Sequence, residues 1–256
     1  MPDPSIPAPP DQMPTGSAVS KHDLSSLCRL GGIASLLLVA YSLATIVQMV
    51  VLGGPLTSAA QAFDLLQHHR LLGLLRLDLP TIVIMPLYYL LFLALFAALR
   101  RSNYANAMLS TVLAFVGVTL VLATPTALSM IPLSDKFAAA TSDADRNQLL
   151  AAGEALLAAD LWHSTGAILG GVLVQSGAVL ISVVMLRGGV FSTLTAWLGI
   201  LMHGLDLAHI VGGLFLPAVG VVLMALAGPL YPIWLTLVGL RLLKLARSNR
   251  AEPRHT

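Results

Sequence analysis

TIVIMPLYYLLFLALFAALRR, from Thr81 to Arg101, decides the fold. Between Thr81 and Leu99 no side chain carries a charge. At 1.5 Å per residue such a run crosses the ~30 Å hydrocarbon core of a bilayer. A soluble helix of that length needs a polar face, and this one has none. Arg100 and Arg101 then stop it where headgroups and water begin.

Similar runs flank it on both sides. The first is expected from about Leu30 to Leu52, ended by Gly53-Gly54-Pro55, since proline cannot continue the backbone ladder. A third is expected from about Ala105 to Ile131, closed by Pro132, and a fourth from about Leu161 to Leu186, stopped by Arg187-Gly188-Gly189. The stretch from Val190 to Leu245 holds two more crossings. Gly212-Gly213 and Pro217 break it near the middle, and Gly228-Pro229 and Pro232 kink or restart the last helix. The composition agrees: 57% of the chain is apolar and 10% is charged, against roughly 25% charged in soluble domains. The expected fold is an all-α polytopic membrane bundle over residues 25–247.

Residues 1–24 are proline-rich and read as a disordered cytoplasmic tail, and residues 248–256 as a short basic one. Lys and Arg give the orientation. With the N-terminus inside, Lys21, Arg29, Arg100, Arg101, Arg187 and the five basic residues from Arg241 to Arg254 are cytoplasmic. Arg70, Arg76, Lys136 and Arg146 are external. This alternation is the positive-inside pattern, and it places both termini in the cytoplasm of an inner-membrane protein. A net charge of +2 gives no reason to expect a nucleic-acid partner. Cys28 is the only cysteine, which excludes an internal disulfide and any cysteine-rich metal site.

Both long external connections should be helical. Ser142 can cap a helix whose first turn carries Asp143 and Asp145, followed by a stripe of Leu149, Leu150, Leu156 and Leu157. Residues 56–78 mix apolar side chains with Gln61, Asp64, His68, His69 and Arg70. The pair reads as two amphipathic helices that lie on the outer surface or cap the bundle. A faint repeat links Pro86-Leu87-Tyr88, ahead of Arg101-Ser102-Asn103, to Pro229-Leu230-Tyr231, ahead of Arg247-Ser248-Asn249.

No phosphate loop, His-Glu-x-x-His, haem-attachment or Gly-x-Ser-x-Gly motif occurs. The polar feature that stands out is in the fifth crossing. There His203, Asp206 and His209 recur every three residues, so a carboxylate lies between two histidines on one face. A carboxylate near a bilayer centre costs roughly 2.5–3.5 kcal/mol, so it should face the bundle interior and have a partner. His163, beside Asp160 and Trp162, stands at a similar outer depth. His163, His203, Asp206 and His209 are the candidate intramembrane polar site. Three uses compete: an interhelical hydrogen-bonded seam, a proton or substrate pathway, and a metal or haem site. Three-residue spacing fans the histidines apart, which weighs against metal. Gln48, Gln175, Thr119 and Thr124 suit ordinary interhelical bonds, and Gly166, Gly170, Gly171 and Gly177 give the fourth crossing a smooth packing face.

The order of elements resembles the DUF4386 family of bacterial multi-pass membrane proteins. The shared cues are Arg29-Leu-Gly-Gly-Ile-Ala34, the external helices, Leu205-Asp206-Leu207 and a final tryptophan-bearing helix ending in Arg241-Leu-Leu243. The resemblance implies the fold and brings no activity or cofactor. The leading expectation is a non-enzymatic membrane protein, a small-molecule or proton-linked permease. The rivals are a membrane-embedded metal or haem enzyme built on the four candidate residues, and an accessory subunit. No cofactor is expected. The bilayer is the partner the composition demands, and a homo-oligomer is compatible with it.

Overall fold

The computed structural model describes residues 21–251 apart from Pro55, Pro125 and residues 160–162. The expected N-terminal tail falls mostly outside the described residues, as do Asp160, Trp162 and the chain after Ala251. Among the described residues the regular structure is all α-helix, with no strand. Six stretches are long and apolar enough to cross a membrane: Leu24–Leu52, Leu79–Leu99, Tyr104–Ala139, Thr165–Gly188, Thr193–Gly213 and Pro217–Ser248. The protein is a multi-pass integral membrane protein.

Helix α1 (Lys21–Leu52) starts ahead of the expected Leu30. Packing lengthens it, because the buried Ser25 Oγ donates to the Ala246 carbonyl at 2.7 Å. Its far end is Gly53, whose φ of +86° suits glycine alone. The second crossing divides at Met85-Pro86 into α4 (Leu79–Ile84) and α5 (Leu87–Leu99). The sixth is α11 (Pro217–Ala227) followed by α12 (Leu230–Ala251), with the break at Gly228-Pro229 that the sequence marks. The fourth and fifth are α9 (Thr165–Gly188) and α10 (Thr193–Gly213), each started by a serine, Ser164 or Ser192, whose side chain accepts from a backbone N–H three residues on.

The third crossing corrects the sequence reading. Helix α6 (Tyr104–Leu122) stops well before Ile131, and a separate α7 (Ala127–Ala139) runs through Pro132. Thr124 precedes a proline, a position that disfavours helical backbone. The buried Asp78 carboxylate then accepts from the N–H groups of Thr126 and Ala127 and starts the new helix. Inside α7, Pro132 removes one backbone bond without ending the helix, because the buried Met130 and Ser134 hold that face against a neighbour.

The crossings form a ring in chain order, α1, α5, α6, α9, α10 and α12, closed by α12 against α1. Glycines set the close approaches. A methyl on Gly32 would come within 3.0 Å of the Gly239 carbonyl of α12, and one on Gly117 within 2.5 Å of the Gly170 carbonyl of α9. Gly166, Gly170 and Gly177 face α6 as a smooth strip, whereas Gly171 faces Ile210 of α10. The core lies toward the end that carries both termini, where Leu91, Phe92, Leu95, Ile181, Met185, Met202 and Trp234 are buried.

Over the opposite end sits a second cluster. Helices α2 (Ala59–His68), α3 (Arg70–Arg76), α7 and α8 (Asp143–Ala158) pack around Phe63, Leu66 and Met130. Ser142 caps α8 as expected, and Leu150, Leu156 and Leu157 pack inward. Gly153 lets α8 meet α2 closely, and Glu154 Oε1 accepts from the Ala59 N–H at 2.8 Å. The two expected surface helices are therefore parts of one cap.

Candidate functional site

Asp206 lies on α10 thirteen positions after Thr193, roughly 20 Å along the helix. It is partly buried and tied to two other crossings. Gln175 Nε2 of α9 donates to Asp206 Oδ2 at 2.5 Å, and the Tyr231 hydroxyl of α12 donates to the same oxygen at 2.7 Å. Gln175 Nε2 also donates to the Tyr231 hydroxyl oxygen at 2.8 Å. Tyr88, at the start of α5, is within electrostatic reach of both Asp206 and Tyr231. Two other crossings, α9 and α12, thus bring donors to the carboxylate of α10.

His203 enters through Gln175. Its Nδ1 stands 2.6 Å from Gln175 Oε1. Because the Gln175 amide N–H groups point at Asp206 and Tyr231, Oε1 is left as an acceptor. Nδ1 must then be the donor, which fixes the histidine tautomer. The other ring nitrogen, Nε2, is buried without a hydrogen-bond partner, as is Trp234 Nε1. The two rings meet edge to face at 4.8 Å. His203 is 2% exposed and marks the closed floor of the cluster.

His209 turns elsewhere. Its Nδ1 donates to the Gly220 carbonyl at 2.9 Å, clasping α11 to α10 where Gly213 and Gly220 approach. It remains within electrostatic reach of Asp206. His163 is exposed in the turn before α9 and is absent from this network. Of the four candidates, the structure therefore joins His203 and Asp206, sets His209 beside them and places His163 apart. Among the described residues no three His, Cys, Asp or Glu side chains converge as metal ligands would.

Gln175, Tyr231 and Tyr88 are the members that sequence reasoning left out of the cluster. Tyr88 and Tyr231 occupy the same place in the faint Pro-Leu-Tyr repeat, and that was the available signal. Gln175 had none beyond being an amide in an apolar helix.

Fold and site together define a polytopic α-helical membrane protein with a polar cluster around one intramembrane carboxylate. No protein-family model matches this chain, and no curated protein or solved structure is significantly similar to it.

Proposed function

We propose that this protein is a small-molecule permease, linked to protons, whose working group is Asp206. The observation that carries the reading is how the carboxylate is held. Both donors fall on Oδ2. The residue is only partly buried, and its second oxygen makes no hydrogen bond to the described residues. A purely structural aspartate in a membrane would be enclosed on both oxygens, since an unmatched acceptor in hydrocarbon is costly. Asp/His groups within crossings are the usual material of proton and substrate paths.

The packing supports the same use. The larger part of the buried core lies toward the end with the termini, with a cavity beside Cys28, Arg101 and Leu245 at its edge. In the opposite half, α11 leans on α10 through Gly213 and Gly220, while Phe215 and Leu216 at its start are 78% and 61% exposed. A polar group held between crossings whose two halves are packed differently is what alternating access would need. Placement in the inner membrane with both termini cytoplasmic belongs to this proposal, as does kinship with the DUF4386 family, which rests on the order of elements.

Reconstitution tests it. Vesicles holding the protein and a lumenal pH dye are given amines, carboxylates, sugars and amino acids in turn, under an imposed pH gradient. At least one class should move protons or solute faster than in protein-free vesicles, and Asp206→Asn should abolish the difference. Equal rates with every class would sink the proposal.

A further inference from the structure

The end of the bundle that carries both termini holds a cavity of about 290 Å³ between α1, the end of α5, the turn from α9 to α10, and α12. Leu24 and Cys28 line it from successive turns of α1, and Leu245 lines it from α12. Ala98 contributes from the last turn of α5, with Arg101 and Ser102 just beyond it. The Ser102 hydroxyl stands against Gly188, where an added methyl would come within 2.7 Å of it. Arg101 and Ser102 are exposed while Cys28 is 1% exposed, so the cavity runs from a wet polar mouth to an apolar floor. Its volume is near the lower end of small-molecule sites, roughly 300–1,000 Å³, and suits a short ligand.

The polar groups at the mouth are donors. The side chains of Arg101 and Ser102 make no hydrogen bond or ion pair to the described residues. The Val190 carbonyl on the same wall accepts from Arg241 Nε at 2.5 Å, which sets a second guanidinium behind it. Arg29, Arg100, Arg187 and Lys244 stand at this end too, and no described carboxylate does. Helix dipoles leave the sign unchanged. The C-terminus of α5 is followed by the N-terminus of α6, and that of α9 by that of α10, so their partial charges offset. The positive-inside pattern accounts for basic residues at this end. It does not account for a guanidinium set over an apolar cavity with its donors unused. An arginine fork matches a carboxylate or a phosphate. The floor disfavours a bare anion, because Leu24, Cys28 and Leu245 would strip its water and replace none of it.

We infer that this cavity binds a small amphiphilic anion, its carboxylate or phosphate on Arg101 and Ser102 and its apolar part against Leu24, Cys28 and Leu245. The inference stands apart from the role proposed for Asp206, which lies in the other half of the bundle. Full-length protein in phosphatidylcholine nanodiscs tests it, with Cys28, the single cysteine, as reporter. Two methanethiosulfonates of similar size are compared, one bearing a sulfonate and one a trimethylammonium. Relative to a free thiol, the sulfonate reagent should be favoured at least about fivefold, the weight of one unit charge ~4 Å away in water. Arg101→Gln should erase that preference and Arg101→Lys should keep it. Arg100→Gln, at a residue that does not line the cavity, should leave it within about twofold, since salt screens exposed charge. A protein with Cys28→Ala and Ala98→Cys repeats the measurement at the less buried side of the cavity. Hexanoate or hexyl phosphate should slow labelling saturably, and hexanol should not. Slowing by phosphatidylglycerol added to the disc, and not by the soluble acids, assigns the same site to a lipid headgroup. Hexanol matching hexanoate, no charge preference at either cysteine, or no labelling of either overturns the inference. Protection by neither the acids nor the lipid overturns it as well.

Discussion

At the scale of single residues, stability separates the groups that hold the bundle together from the carboxylate proposed to work. Gln175 makes three interhelical bonds, to Asp206, Tyr231 and His203. Such bonds in membranes average ~0.6 kcal/mol and reach ~1.7. Gln175→Leu should therefore lower stability by about 2 kcal/mol, read from unfolding in mixed micelles. Asp206→Asn should lie within about 1 kcal/mol of wild type, because an amide oxygen still accepts from both partners. A reversed order would show that Asp206 acts as a charged structural pair with His209. The sequence pointed at Asp206 because a carboxylate in an apolar run has to be explained. It could not point at Gln175, which lies 31 positions away on another helix.

At the scale of elements, caps and breaks decide what the apolar runs become. Asp78 joins the start of α4 to the start of α7 by taking two N–H groups that a helix N-terminus leaves unpaired. Asp78→Ala should cost about 1–2 kcal/mol, the range of a lost N-cap. The loss should be local, appearing as faster protease cleavage between Ala123 and Ala139 with the ring of crossings intact. Unchanged cleavage there would show that α7 is held by Met130 and Phe137 packing alone. The third crossing was misread because hydropathy runs on from Leu122 to Ile131 past the local break at Thr124, while the start of α7 depends on a cap supplied from 48 residues away.

At the scale of the whole molecule, six crossings return the chain to the side on which it began. Ser25 and Ala246 meet at that end. With the basic residues concentrated there, reporter fusions after Arg101 and Arg187 should read cytoplasmic, and one at Asp143 external. An external reading at Arg187 would require a different number of crossings before it. The sequence by itself determined the solvent, the number of crossings, the surface helices and the odd carboxylate, because these follow from local composition and period. Tertiary structure alone decided that Asp78 starts α7, that α2, α3, α7 and α8 form one cap, and that Gln175 and Tyr231 meet at Asp206. Those outcomes are contacts between helices far apart in the chain. In lipid, apolar faces are interchangeable, so the choice falls to glycine-to-glycine approach and to the few polar groups that must find partners.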